Sequence, residues 1–274
     1  MKKSCDIPYR AAGGVFGLCD LYIPDDYTYP DVWVMAVHGG GWSGMSKESF
    51  AGVAEWLCAD LHLPVCNINY RLCTAARWPA CGDDCLAAAR FLLDSGSPVL
   101  CSRPCRKLFI IGGSAGGHLA LVTGLRLPTD KIAGLVSISG IADLKSDRDF
   151  ASDRYRDLFG HEPDDAELRN ADPASYLKPD SPPILCTHDW NDNVVPVRSA
   201  QVFLDAVHKN GTTGESYYYV KNENGYSHRI WIPDSVPHKL YPDIEKAVSS
   251  FILHCLDTAP DVRNFEKNEA KPCS

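Results

Sequence analysis

Five short apolar runs set the strongest limit on what this chain can fold into. They are VWVMAVH (32–38), PVCNINY (64–70), KLFIIGG (107–113), IAGLVSISG (132–140) and PILCTHD (183–189). All are too apolar to leave one face in water, so each is expected to be a strand covered on both sides. Helical spacing fills the stretches between them: SKESFAGVAEWLCADL with Ser46 as candidate N-cap, DDCLAAARFLLDSG, and AGGHLALVTGLRL. Two more follow, VRSAQVFLDAVHKNG, closed by Gly211, and YPDIEKAVSSFILHCL. Strands alternating with helices build βαβ units, hence an α/β fold with a mainly parallel central sheet and helices on both faces. Ahead of them VFGLCDLYIP alternates in the manner of a half-exposed antiparallel strand. The chain shows no internal repeat and no low-complexity linker. One domain over residues 1–274 is expected, with the aspartate-rich segment from Lys145 to Pro179 as a candidate insertion.

Charge and composition exclude several classes of partner. A formal net charge of −8 argues against nucleic acid and against an anionic membrane surface, since both demand basic patches. No stretch reaches the roughly 18 apolar residues of a membrane span. MKKSCDIPYRAAGG has the basic start of a signal peptide but no apolar core behind it, so a cytoplasmic location is the default and secretion stays open. Nothing in the sequence fixes the oligomeric state. The cysteine count of 12 is high. Cys81 and Cys85, like Cys101 and Cys105, stand four apart, which brings zinc to mind, yet Cys58, Cys66 and Cys186 sit at apolar positions. Scattered free thiols are expected, ahead of disulfides and of a metal site.

The chemistry begins at FIIGGSAGGHLAL, residues 109–121. Gly112-Gly113-Ser114-Ala115-Gly116 fits G-x-S-x-G between a strand and a helix, the elbow that presents a nucleophilic serine. A phosphate loop would need a Lys-Ser/Thr ending or the spacing G-x-G-x-x-G, and neither is present. A serine hydroxyl also needs a base and donors for its tetrahedral intermediate. HGGGW (38–42), at the end of an apolar run, leaves main-chain N–H groups unobstructed by side chains.

On these motifs the chain resembles α/β-hydrolases of the esterase/lipase type with an HGGG oxyanion motif. Within that group it is most similar to small bacterial carboxylesterases such as feruloyl and acetylxylan esterases, and more distantly to kynurenine formamidase. The likeness runs from DLYIPDD through HGGGW, NINYRL, GGSAGGHLAL and HDWNDNVVP to GYSH. It implies that the N–H groups of Gly40, Gly41 and Ala115 form the oxyanion hole. The acid must follow a late strand, where Asp189 and Asp192 are the choices; the pattern H-G-x-x-D-x-x-V-P aligns Asp192, with Asp189 standing where glycine is usual. For the base the candidates are His228, His238 and His254, and the resemblance places it at His228. His38 is expected to tie down the glycine loop, and His118 to pack in the elbow helix. Trp42, Trp190 and Tyr226 neighbour these loops and are candidate substrate-binding residues, with core packing the competing role.

The expected function is a serine carboxylesterase on short-chain acyl esters, including small-molecule or carbohydrate esters, working without a cofactor or metal. An arylformamidase or small peptidase of the same fold is the alternative. A non-catalytic binding protein on a hydrolase scaffold is the other, against which all three triad positions are filled. Only about thirty residues precede the first central strand. The pocket is therefore expected to be open, or covered by the Lys145–Pro179 segment alone.

Overall fold

The computed structural model describes residues 1–26, 29, 31–94, 104–211, 216–220, 228, 230–232, 234–235 and 238–256. Its strands are β1 (Lys2–Pro8), β2 (Leu18–Ile23), β3 (Val32–Val37), β4 (Val65–Ile68), β5 (Lys107–Gly113), β6 (Ile132–Ile138), β7 (Ile184–Asp189) and β8 (Ser216–Val220). They form one sheet in the order β1-β2-β4-β3-β5-β6-β7-β8. From β4 to β8 every pairing is parallel, while β2 pairs antiparallel with β1 and with β4.

The five apolar runs all become parallel strands, and the two-sided burial expected of them is visible residue by residue. Along β3, Trp33, Met35 and Val37 enter one core while Val32, Val34 and Ala36 enter the other. Leu108 and Ile110 of β5 split from Phe109 and Ile111 in the same way, as a period of two requires. The helices are α1 (Ala51–Asp60), α2 (Ala80–Leu93), α3 (Ala115–Arg126), α4 (Leu144–Phe150), α5 (Asp153–Phe159), α6 (Asp165–Ala171), α7 (Val197–Lys209) and α8 (Pro242–Cys255). Val53 and Leu57 of α1 and Val248 and Phe251 of α8 cover one face. Cys85 of α2, Leu119 of α3 and Phe203 of α7 cover the other. This is the α/β-hydrolase arrangement, with helices on both sides of a mostly parallel sheet. No helix among the described residues is long and apolar enough to cross a membrane. The ten described cysteines are free, and most lie buried in these two cores as small hydrophobes.

Several local expectations are corrected. The stretch before β3 is not a half-exposed strand from residue 15: residues 11–17 form a 3₁₀ turn, and β2 is almost wholly buried because strands flank it on both edges. β1, missing from the sequence reading, is mostly exposed and charged, and its strand identity comes from pairing with β2. Ser46 makes no side-chain cap bond; it precedes a 3₁₀ turn over Lys47–Phe50, and α1 starts only at Ala51. There the Lys47 ammonium is drawn into a nest of Asp6, Asp20 and Glu48 carboxylates at 2.7–3.0 Å, and that cluster, not a helix cap, organises the turn. The Lys145–Pro179 segment lies between β6 and β7 and folds into α4, α5, α6 and a 3₁₀ turn at Pro173–Tyr176.

Candidate active site

The carboxyl ends of β3, β5 and β7 carry the loops that matter, as open α/β sheets generally arrange their sites. β5 ends in the elbow. Ser114 has φ +54° and ψ −122°, a conformation that costs a residue with a Cβ and persists only where its surroundings enforce it. Those surroundings are backbone. A Cβ on Gly116 would collide with the carbonyl oxygens of Val37 and His38, so α3 can start directly beneath β3 only with glycine there. Ser114 N–H donates to the Ile138 carbonyl at 2.9 Å, which pins the elbow to β6. At the start of α3 the Gly117 and His118 N–H groups donate to the Ser114 carbonyl at 2.9 and 3.2 Å, while among the described residues no acceptor takes those of Ala115 and Gly116, and the positive end of the helix faces the bend.

The glycine loop meets this bend directly. A Cβ at Gly39 would lie 2.8 Å from the Gly113 carbonyl oxygen and 3.2 Å from Ser114 Cβ, so the two loops are in backbone contact. Gly40, Gly41 and Trp42 follow with φ of +103°, +58° and +58°. Among the described residues no acceptor takes the N–H of Gly40 or Gly41. Trp42 tolerates its left-handed backbone because its indole is fully buried: Nε1 donates to His118 Nδ1 at 3.2 Å, and its carbonyl accepts from Cys73 N–H at 2.8 Å. His118 Nδ1 being an acceptor, Nε2 carries the proton and donates to the Ala171 carbonyl at 2.8 Å. Burial drops the His118 pKa to about 4, so the ring is neutral. His38 behaves likewise, held to about 4 by burial, with Nδ1 on the Gly39 carbonyl at 2.7 Å and its ring stacked on Tyr70 at 4.2 Å.

The third loop follows β7. Asp192 Oδ1 accepts from Val194 N–H at 2.8 Å and from Val195 N–H at 2.9 Å, leaving Oδ2 to accept from His228 Nδ1 at 2.8 Å. The carboxylate is completely buried, whereas the His228 ring keeps a fifth of its surface exposed. Asp189, the competing acid, instead accepts from Asn191 N–H through Oδ1, as a loop carboxylate does. His188, unmarked in the sequence reading, donates from Nε2 to the Val195 carbonyl at 2.8 Å and lies 3.5 Å from Asp192 Oδ2. Burial lowers its pKa despite that carboxylate, so it braces the turn as a neutral ring. No hydrogen bond joins Ser114 Oγ to His228 among the described residues; such contacts in unliganded sites often tighten only on substrate binding.

The three aromatic candidates separate. Trp42 has no exposed surface, because His118 and Tyr155 pack on it, so its ring offers no face to a ligand; the substrate-binding role is corrected to a core one. Trp190 is 47 % exposed on the acid loop. Tyr226 lies outside the described residues. His238 stacks on Trp231 at 4.8 Å, and His254 is an exposed residue of α8. Two cavities, of about 350 and about 640 Å³, open elsewhere on the molecule, and neither is lined by Ser114, Asp192 or His228.

Several proteins to which this chain is similar are named esterases or ester hydrolases. The chain is 30 % identical over 125 residues to versiconal hemiacetal acetate esterase stcI of Emericella nidulans, covering 44 % of this chain and 41 % of that protein. It is 26 % identical over 225 residues to the probable carboxylic ester hydrolase LipM of Mycobacterium tuberculosis, covering 73 % of this chain and 50 % of LipM. The chain thus spans half or less of the length of these curated relatives. A truncated form of a carbohydrate esterase from gut microbiota superposes with a TM-score of 0.74 at 18 % identity, over 93 % of this chain and 96 % of that one, a likeness of fold. The BD-FAE family model matches residues 19–207, the span that holds the glycine loop, the elbow and the acid turn, and the chain belongs to that family of α/β-hydrolase esterases.

Proposed function

We propose that this chain is a serine carboxylesterase in which Ser114 is the nucleophile, His228 the base and Asp192 the acid. The observation that carries the reading is the backbone contact between the Gly39 loop and the Ser114 elbow, set beside a buried Asp192 bonded to His228. With Nδ1–H given to Asp192, His228 Nε2 is left as the acceptor that removes the Ser114 proton. Attack on the ester carbonyl develops negative charge on its oxygen. Gly40, Gly41 and Ala115 supply backbone N–H groups there, fixed before the reaction and therefore effective in a water-poor site. The proton on Nε2 then passes to the departing alcohol, and a water activated by the same imidazole cleaves the acyl-enzyme. The esterase names of the relatives support the reaction class, and a net charge of −8 favours neutral esters of sugars or phenols over anionic ones.

The decisive experiment is Ser114→Ala with a short acyl nitrophenyl ester. Turnover should fall on the order of 10⁴-fold or more while the protein stays folded. A fluorophosphonate should label wild type and not the variant. Asp192→Asn should cripple turnover where Asp189→Asn is tolerated. Retained turnover in Ser114→Ala would falsify the mechanism.

A further inference from the structure

The segment between β6 and β7 grips the site from two sides through neighbouring residues of α5. Tyr155 packs its ring edge against Trp42 of the glycine loop, with centroids 5.9 Å apart and planes inclined by 65°. One residue earlier, Arg154 Nη2 donates to the Val194 carbonyl at 2.6 Å. Val194 belongs to the turn whose N–H groups hold Asp192. A single carboxylate fixes both α5 residues. Asp147, fully buried on α4, accepts from Tyr155 Oη at 2.8 Å through Oδ2, and Arg154 Nη1 stands 3.5 Å from the same oxygen.

Packing alone does not account for this carboxylate. Its Oδ1 is buried without a hydrogen-bond partner among the described residues, a costly state that an apolar side chain of similar volume would avoid. What an apolar residue cannot do is hold a guanidinium in one orientation. Arg154 in turn needs two arms, one for Asp147 and one for the Val194 carbonyl, which a planar fork supplies and an ammonium does not.

We propose that Arg154, oriented by Asp147, is a positioning residue for the acid–base pair, fixing the Val194 carbonyl and with it the turn that aims Asp192 at His228. The inference rests on the reading of Asp192 and His228 as acid and base. Besides Arg154 and Tyr155 on α5, the charged groups that act on Asp147 are Asp192 and His228 themselves. Burial raises the Asp147 pKa to about 6, with Asp192 pushing the same way and Arg154, Tyr155 and His228 opposing. Below that pH Asp147 is increasingly neutral and its hold on Arg154 weakens.

The test measures kcat, KM and thermal midpoint from pH 5 to 8 for wild type, Arg154→Ala, Arg154→Lys and Asp147→Asn, with His228→Ala as control. Arg154→Ala should lose about 10- to 100-fold in kcat, the range that a small misplacement of a reacting group produces. KM should stay within about two-fold, as expected when ground-state binding is untouched. Arg154→Lys should recover part of the loss. Fluorophosphonate labelling should slow in parallel, because acylation uses the same base. Asp147→Asn takes away the anion that orients Arg154, so its kcat should fall below wild type at pH 8 and the two should converge toward pH 5, where Asp147 itself is protonated, a change that a merely structural role would not produce. A folded Arg154→Ala with wild-type kcat, beside an inactive His228→Ala, overturns the proposal. Should Arg154→Ala fail to fold, a wild-type kcat across the whole pH range in Asp147→Asn overturns it equally. An active His228→Ala would instead refute the triad reading beneath it.

Discussion

Gly116 and Gly44 make a controlled pair at the scale of single residues. At Gly116 an added Cβ meets the carbonyl oxygens of Val37 and His38, and main chain cannot step aside as a side chain can. Gly116→Ala should destabilise by about 1–3 kcal/mol or more, as overpacking does, and should displace the elbow enough to lower turnover. At Gly44 the nearest atom to an added Cβ is the Gly40 carbonyl oxygen at 3.9 Å, an ordinary contact. Gly44→Ala should therefore leave the denaturant midpoint almost unchanged, and equal losses at both sites would contradict this account of the elbow. The same distinction explains what could be read from the sequence. Ser114 and Asp192 are legible in the sequence because the roles proposed for them demand one residue type at one place along the chain, next to a strand end. For Trp42 the sequence leaves core packing and substrate contact open, because its burial depends on His118 and Tyr155, which reach it from distant elements. Arg154 and Asp147 gave no local signal. In a charged segment they resemble solvated residues, and only the fold brings them to Val194.

Among the elements, the helices α4 to α6 decide how much acyl chain the site can shelter. Of their large apolar residues, Leu144, Tyr155, Leu158, Phe159 and Leu168 are already buried in the core that α2, α3 and α7 share, which leaves Phe150 of α4 exposed. Little apolar surface is left over to line a deep trough. Each methylene of a substrate would gain about 0.8 kcal/mol if buried, a gain that so little apolar lining is expected to forgo. Acetyl and butyryl esters of one alcohol should thus show far higher kcat/KM than the decanoyl ester at matched ionic strength. A decanoyl optimum would mean that these helices open an apolar face when substrate binds. At this scale the parallel strands were legible because burial on both faces writes itself as unbroken apolar runs. β1 was not, since KKSCDIP carries neither an apolar run nor an alternation, and only the partner strand makes it one.

For the whole molecule, opposing groups set the response to acid. His38 and His118 fall from 6.5 to about 4 on folding because burial disfavours their cations, and His188 moves the same way. Below pH 6.5 the unfolded chain takes up those protons first, so the stability they contribute is intact above 6.5 and lost on the way to 4. Asp147 and Asp172 rise from 3.8 to about 6, again chiefly through burial. The folded chain binds those protons first, so stability is regained as pH falls from 6 toward 3.8. Glu245 is raised as well, but Glu48 and Asp164 are lowered, so three histidines and two lowered carboxyls stand against three raised carboxyls, and the thermal midpoint should decline gently between pH 6.5 and 4. His118→Gln, whose amide can still join Trp42 to Ala171, should flatten the decline, and Asp147→Asn should steepen it. Parallel curves for all three proteins would show that neither group titrates as its burial requires. The antiparallel flank bears on a different matter, the behaviour of the chain in a crowded solution. β1 is the last strand on its side of the sheet, and an open strand edge invites a foreign strand to add itself. This one carries Lys2, Lys3 and Asp6, breaks its register between Ser4 and Ile7, and ends in Pro8, which has no N–H to offer. Uncontrolled sheet-to-sheet growth, the first step toward fibrils, is thereby blocked at this edge.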